Sequence, residues 1–523
     1  MFVFISIALL ALTALVMFIL RLTRRDFGYH WLIAVGGALF AWVMVILDSG
    51  NLPAQLQLSS WDLQTAYPNL ISFSIDQISW PFALGLGTLI LVSLLTDVIR
   101  AYDLDWSNWA SSLLITAMGL IGVLSGNLLT FILAWMVFDL ITVIILLLQL
   151  QSGKSRRQAV YVFFAHLLGS VSLLIAGVIS INDNNSFLFE RASPNAVLFV
   201  VLAAGFRLSL IPVDSILQEN PVKRRSLGTV MSLASAAIVV VFLVRVANAL
   251  EGVNLTSTLW GVIFGLVGLV SLLFAIAWLI EKDELNGQHA WISGIGGLVL
   301  AAALHSQPEA SIAWGMAMLF SGGLIFLASV RDRLSLWITL LGLIGLSALP
   351  FTPAWGGLLL FSPPLNIAMV FYLVVIVLLI WGYAQHATQI SNEPSGLERW
   401  IRVVYPFGLV MIPVIHFVWG LLYRPAISEI PFTGWILGVV ICVLAFLGFM
   451  WRRRGGYFPQ NFANAINAFL DLHWFYKILR ILFDYGSRLI FFISSVLEGD
   501  GGILWMLLWI VIFLAILLIS FGT

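Results

Sequence analysis

Two ionisable residues, Asp139 and Arg207, stand inside apolar runs of hydrocarbon length. Asp139 lies in Thr-Phe-Ile-Leu-Ala-Trp-Met-Val-Phe-Asp-Leu-Ile-Thr (130–142), and Arg207 in Leu-Ala-Ala-Gly-Phe-Arg-Leu-Ser-Leu-Ile-Pro (202–212). A lone charge at membrane depth costs at least a few kcal/mol and is rarely kept without a partner or a water-filled path. An acid and a base on neighbouring spans, the base just before the helix-breaking Pro212, predict an ion-handling site or its remnant. Asp214 beyond that proline and His166 on the span between them are further candidates for an ion pathway.

The surroundings must be membrane-spanning helices. The chain has 523 residues, 61% hydrophobic and 10% charged, whereas soluble domains carry about 25% charged residues. Apolar windows of roughly 20 residues, enough to cross a hydrocarbon core, recur from end to end. The short alternating segments of a β-barrel are absent. The expected fold is an all-α polytopic membrane protein with sixteen spans, approximately 1–20, 31–48, 73–97, 109–126, 129–149, 158–181, 196–213, 227–249, 258–280, 289–305, 310–329, 334–360, 365–385, 403–421, 433–451 and 501–521. If the first loop is cytoplasmic, alternation puts 21 of the 25 Lys and Arg on that side. Only Arg191 and Arg424 fall outside, while Arg207 and Arg245 lie within spans. The positive-inside rule therefore predicts both termini outside a cytoplasmic (inner) membrane. The first apolar run has no basic segment before it and reads as a span with its N-terminus out, not as a cleaved signal.

Other chemistry is thinly represented. The single cysteine, Cys442, excludes an internal disulfide and an iron–sulfur cluster held by this chain alone. His166 and His416 could in principle hold a haem, but single polar residues in a bundle are the simpler reading; no cofactor and no metal site is expected. Asp103 and Asp105 form an Asp-x-Asp that could hold a divalent ion, although two acids in a short loop read more simply as a solvated connection. A net charge of zero says nothing about partners, and no segment points to nucleic acid.

Two spans are broken by proline in similar settings: the seventh at Pro212 and the twelfth at Pro350 and Pro353. Breaks at corresponding positions of two halves are the trace of inverted-repeat transporters, where unwound backbone lines a polar cavity. The five-span offset predicts inverted five-helix repeats at 109–249 and 258–385, after three N-terminal helices in 1–108. Helices fourteen and fifteen (403–451) and a last span (501–521) follow. The run 461–497 mixes charges and aromatics at helical spacing, which suits a helix lying along the membrane or clamping its neighbours. A surface loop followed by part of a span is the alternative.

Several phrases resemble the antiporter-like membrane subunits of respiratory complex I (NADH:quinone oxidoreductase), Mrp-type cation/proton antiporters and membrane-bound hydrogenases. They are Phe-Ser-Ile-Asp-Gln-Ile-Ser-Trp (73–80), Ser-Gly-Asn-Leu-Leu-Thr-Phe-Ile-Leu-Ala-Trp (125–135), Gly-Phe-Arg-Leu-Ser-Leu-Ile-Pro-Val-Asp (205–214), Leu-Pro-Phe-Thr-Pro-Ala-Trp (349–355) and Ala-Phe-Leu-Asp-Leu-His-Trp-Phe-Tyr (468–476). The resemblance implies a subunit that sits among other membrane subunits in the bilayer and moves protons. It also marks departures. The family's glutamate after the fifth-span tryptophan is Met136 here, and an acid returns at Asp139, about 4.5 Å further along the helix. The seventh-span lysine is Arg207, which stays protonated where a buried lysine could release its proton. The histidine beyond the proline is Asp214. The eighth-span histidine falls near Met231, the eleventh-span lysine near Ser321, and the ionisable residue after the twelfth-span break near Leu358. The resemblance thus implies a diverged member with weakened or lost translocation. A stand-alone secondary transporter for a small solute or cation is the alternative.

Overall fold

A computed structural model describes residues 2–24, 27–57, 71–101, 103–184, 186, 188–210, 220–249, 258–330, 332–389, 398–423, 430, 432–456, 459, 461, 465–466, 468, 473–498, 502 and 505–512. The protein is a polytopic helical membrane protein, as composition demanded. Its helices are α1 (Phe2–Thr23), α2 (His30–Leu47), α3 (Ser79–Thr96), α4 (Trp106–Val123), α5 (Leu128–Gln149), α6 (Gly153–Asn184), α7 (Val197–Arg207) and α8 (Pro221–Ala247). They continue with α9 (Thr258–Ile280), α10 (Gln288–Leu304), α11 (Pro308–Leu327), α12 (Arg333–Leu346), α13 (Met369–Ala387), α14 (Ile401–Leu422), α15 (Phe432–Arg453) and α16 (His473–Glu498). Among the described residues, 11 helices are long and apolar enough to cross a membrane, and α10 and α12 are shorter apolar helices. The helices α1 to α15 follow the first fifteen expected spans in order. Most of the sixteenth expected span, 501–521, lies outside the described residues.

The third span starts later than the sequence suggested. Residues Ser72–Ile75 form a strand (β2) antiparallel to Ala54–Gln57 (β1), in the register Ala54–Ile75 to Gln57–Ser72. Helix α3 begins only after Asp76, whose Oδ1 accepts from the Ser79 amide at 2.8 Å and the Ile78 amide at 3.1 Å. A carboxylate serving orphan amides ends the strand and starts the helix.

Chain contacts divide the protein into two units, Met1–Leu470 and Asp471–Thr523. In the first, α3 is buried along its whole length, and α8, α10 and α11 nearly so. Helix α8 packs on α3, α4, α10 and α11 and joins the two expected halves. A helix that is apolar all round belongs in a packed interior or in the membrane, and burial places α3 in the interior. In the second unit, α16 is one continuous helix of 26 residues. Lys477, Arg480, Asp484 and Arg488 recur on it at intervals of three and four, which places the charges on one face. Of the expected segment 461–497, residues 462–464, 467 and 469–472 lie outside the described residues.

The start of α8 is a knot of buried charge. Three successive basic residues lie at or just before a π-helical turn at Arg224–Gly228 and tie α8 to α5, to the α9–α10 connection and to the end of α11. Lys223 Nζ donates to Gln149 Oε1 of α5 at 2.7 Å. Arg224 donates to Asn286 Oδ1 at 2.8 Å and to the Leu285 carbonyl. Arg225 donates to the Phe326 and Ala328 carbonyls at the end of α11 (2.9 and 3.0 Å) and pairs with Glu284 at 2.7 Å. Ser226 Oγ donates to Asp97 Oδ2 at 2.5 Å, and Asp97 pairs with Arg100 at 3.0 Å. Arg225→Ala removes an ionic partner of Glu284 and the donor to two helix-end carbonyls, and is expected to cost on the order of 2–3 kcal/mol. Lys223→Ala, which loses one neutral acceptor, is expected to cost below about 1 kcal/mol. Unfolding in detergent measures both, and equal losses would remove Arg225 as the tie between the halves.

Candidate ion-handling site

Helical spacing brings the site together. Asn127 caps α5 by accepting from the Thr130 amide at 2.8 Å, and from that start Trp135, Phe138 and Asp139 fall on one buried face. Arg207 is the last residue of α7. The chain leaves the helix there, earlier than Pro212 suggested, and Ser209 takes the left-handed conformation at φ 55°. Pro212 and Asp214 lie outside the described residues. Helix α6 supplies His166 and comes close to α7 at Gly169, where a Cβ would stand 3.2 Å from Phe206 Cβ. Only glycine allows that approach without displacing a neighbour.

Asp139 and Arg207 form a direct ion pair, Nη1 to Oδ1, with the arginine side chain 0% and the aspartate 4% exposed. His166 Nδ1 lies 3.3 Å from the same carboxylate oxygen. The guanidinium carbon sits 4.7 Å from the Trp135 ring centroid and 5.1 Å from that of Phe138, so aromatic faces share the charge that Asp139 leaves uncompensated. Three of the four expected pathway residues therefore meet in one place. Beside them is a cavity of about 100 Å³, reached also by Ser209, Ser232, Ser235 and Gln288. Gln288 donates to Ser232 Oγ at 2.7 Å across the gap between α10 and α8.

The second half is built differently. Ser321, at the expected lysine position, donates to the Gly342 carbonyl at 3.0 Å, and Leu358 is fully buried. Aromatic side chains fill the interior and turn their polar tips to backbone carbonyls: Trp291 to Met318 (3.3 Å), Trp314 to Gly357 (3.1 Å) and Tyr383 to Thr339 (3.3 Å). His416 is buried against Phe320, with ring centroids 5.1 Å apart. The twelfth helix breaks as expected. Helix α12 stops at Leu346, Thr352 Oγ1 donates to the Ser347 and Leu349 carbonyls (2.5 and 2.7 Å), and a tighter helix runs from Pro353 to Phe361.

The sequence reading also missed a pair. Arg245, noted only as a base within a span, pairs with Asp76 at 3.0 Å and donates to Ser74 Oγ at 3.1 Å. This second pair lines a larger cavity of about 580 Å³ that reaches Thr352 and Pro353 at the twelfth-helix break. The only sequence signal was an arginine inside an apolar run; nothing local named its partner. Asp105, half of the Asp-x-Asp, caps α4 by accepting from the Asn108 amide at 3.1 Å.

No protein-family model matches the sequence, and no curated protein matches it. Solved structures do match in fold. A chain of the membrane-bound sulfane sulfur reductase, an archaeal respiratory membrane complex, superposes with a TM-score of 0.64 at 15% identity, covering 98% of this chain and 100% of that one. A chain of the Mrp complex from Dietzia sp. DQ12-45-1b gives 0.69 at 14% identity, covering 99% of this chain. The fold is antiporter-like. The protein spans 63% of that Mrp chain's length. A chain of respiratory complex I from Thermus thermophilus gives 0.58 at 16% identity, covering 81% of this chain and 98% of that one. Within the antiporter-like fold, a buried arginine holds the acid of the fifth helix.

If the pair is held by its own attraction, Arg207→Leu leaves the buried Asp139 carboxylate with His166 beside it but no fixed positive charge, and a loss of about 3–5 kcal/mol is expected. The double variant Arg207→Leu/Asp139→Leu is expected to recover most of it, because no charge is then stranded. Thermal unfolding in matched detergent reads the cycle; strict additivity would dismiss the pair.

Proposed function

We propose that this chain is an antiporter-like membrane subunit of a proton-translocating NADH:quinone oxidoreductase or a related redox or Mrp-type complex. In this reading it sits in the cytoplasmic (inner) membrane beside other membrane subunits, with both termini outside, and its own proton translocation is weakened or lost. Residues 109–249 and 258–385 act as inverted repeats, and 461–497 lies along the membrane. The shared fold and the two broken helices, five spans apart, support the general kind.

The closed Asp139–Arg207 pair carries the conclusion about translocation. A relay group must take up and release a proton in each cycle. Arginine remains protonated in proteins, and while it does, it holds Asp139 as the carboxylate. Further on, the second half offers aromatic rings at Trp291, Trp314 and Tyr383 and a satisfied hydroxyl at Ser321, where a relay needs titratable groups or water. Charge at the pair can still bias neighbouring chains without a proton passing through.

The cavity of about 580 Å³ at the Asp76–Arg245 pair and the twelfth-helix break favours a second reading, a stand-alone transporter for a small solute or cation. Its size falls within the usual range of ligand pockets.

Gentle solubilisation separates the two readings. A subunit is expected to co-purify with other membrane chains, whereas migration as a lone chain would favour the transporter. In proteoliposomes of the intact complex, Asp139→Asn is expected to lower stability by leaving the buried Arg207 charge uncompensated, but to leave the proton yield per assembled complex unchanged. Loss of the proton yield with assembly intact would restore Asp139 as a relay.

A further inference from the structure

We infer that the cavity beside Asp139 and Arg207 binds one small monovalent inorganic anion of the halide class, held by the free edge of Arg207. The inference rests on the reading of Asp139–Arg207 as a closed ion pair. Arg207 uses Nη1 for Asp139, while Nε and Nη2 have no hydrogen-bond partner among the described residues. Those two N–H groups form the side-on edge of the planar guanidinium, a two-pronged donor for an anion. The side chain is 0% exposed, and a charged donor left unmade in such a place is costly.

The lining fits an anion better than a cation. The cavity measures about 100 Å³, against the roughly 10–15 Å³ that a single water needs. Thr142, Ser209, Ser232 and Ser235 line it together with apolar side chains, and Thr142 Oγ1 also lacks a partner among the described residues. The second guanidinium in the wall, Arg224, spends both Nη groups on neutral acceptors, Asn286 Oδ1 and the Leu285 carbonyl. Glu281 and Asp283 act on Arg224 electrostatically, but neither lines the cavity. Among the described residues, two guanidinium groups thus stand against one carboxylate in the wall. Asp139 Oδ2, itself unpartnered, is the opposing contact. It repels an anion and confines it to the Arg207 end, which favours a single monovalent ion over a polyatomic dianion.

The test compares thermal unfolding of the full chain, with any subunits that co-purify, in lipid nanodiscs. Sodium chloride, sodium bromide and sodium gluconate are used at one ionic strength, gluconate being too large for the cavity. A saturable Tm rise of about 2 °C in either halide over gluconate is expected, with bromide anomalous scattering beside Arg207. Arg207→Lys keeps the charge but removes the two-pronged edge and is expected to abolish the rise. If that variant does not fold, Ser235→Ala combined with Thr142→Val is expected to raise the half-saturating halide concentration several-fold. Equal melting in the three salts, water alone beside Arg207, or an undiminished halide response in the variants overturns the site. Proton flux read on the same preparations bears on the proposed function separately. Flux through this chain would overturn weakened translocation while leaving the halide response as measured.

Discussion

A carboxylate and a guanidinium withdrawn from water attract each other strongly because little else around them can screen the charge. Separately, each would be expensive to keep there. Much of the first half is arranged so that Asp139 and Arg207 are never separated. Helix α5 presents Trp135 and Phe138 on the face that carries the acid, and both rings lie against the guanidinium. Helix α6 approaches α7 at a glycine, and α7 ends at the arginine itself. A helix that stops inside a membrane leaves carbonyls unsatisfied, which is tolerated only where protein or water receives them. The break after Arg207 lies at the polar cavity, as that requirement demands.

Among the described residues of helices α9 to α13, large aromatic side chains meet the same requirement. Tyrosine and tryptophan deliver large apolar surfaces, and each needs a partner only at its tip. Glycines receive them: a Cβ at Gly342 would stand 2.2 Å from the Tyr383 hydroxyl, and one at Gly322 2.5 Å from Trp291 Nε1. Such packing is dry and rigid. The first half thus keeps a buried ion pair beside a cavity, whereas the second is filled by aromatic rings whose polar tips reach backbone carbonyls.

The two halves meet where three basic residues enter α8. On the sequence, Lys223, Arg224 and Arg225 looked like loop charges that set orientation, and counting them that way produced a consistent topology. In the structure they also work as ties. Arg225 alone serves the end of α11 and the α9–α10 connection. Both roles are compatible, because charge near a membrane face obeys the positive-inside bias whether or not its hydrogen bonds point inward. The sequence could not reveal the second role, since the acceptors are about 60 to more than 100 residues away.

By itself the sequence determined what depends on composition and local period. It specified membrane helices in a definite order, two proline-marked breaks, and an acid and a base inside apolar runs. These follow from the cost of placing polar groups in hydrocarbon, which acts on each segment independently. Only the tertiary structure decided which charges meet. It joined Asp139 to Arg207 and His166, found Asp76 for the overlooked Arg245, turned residues 72–75 into a strand, and ended the seventh helix before Pro212. Each of these depends on how distant helices pack, and side chains far apart in the chain carry no local signal of the partner that will satisfy them.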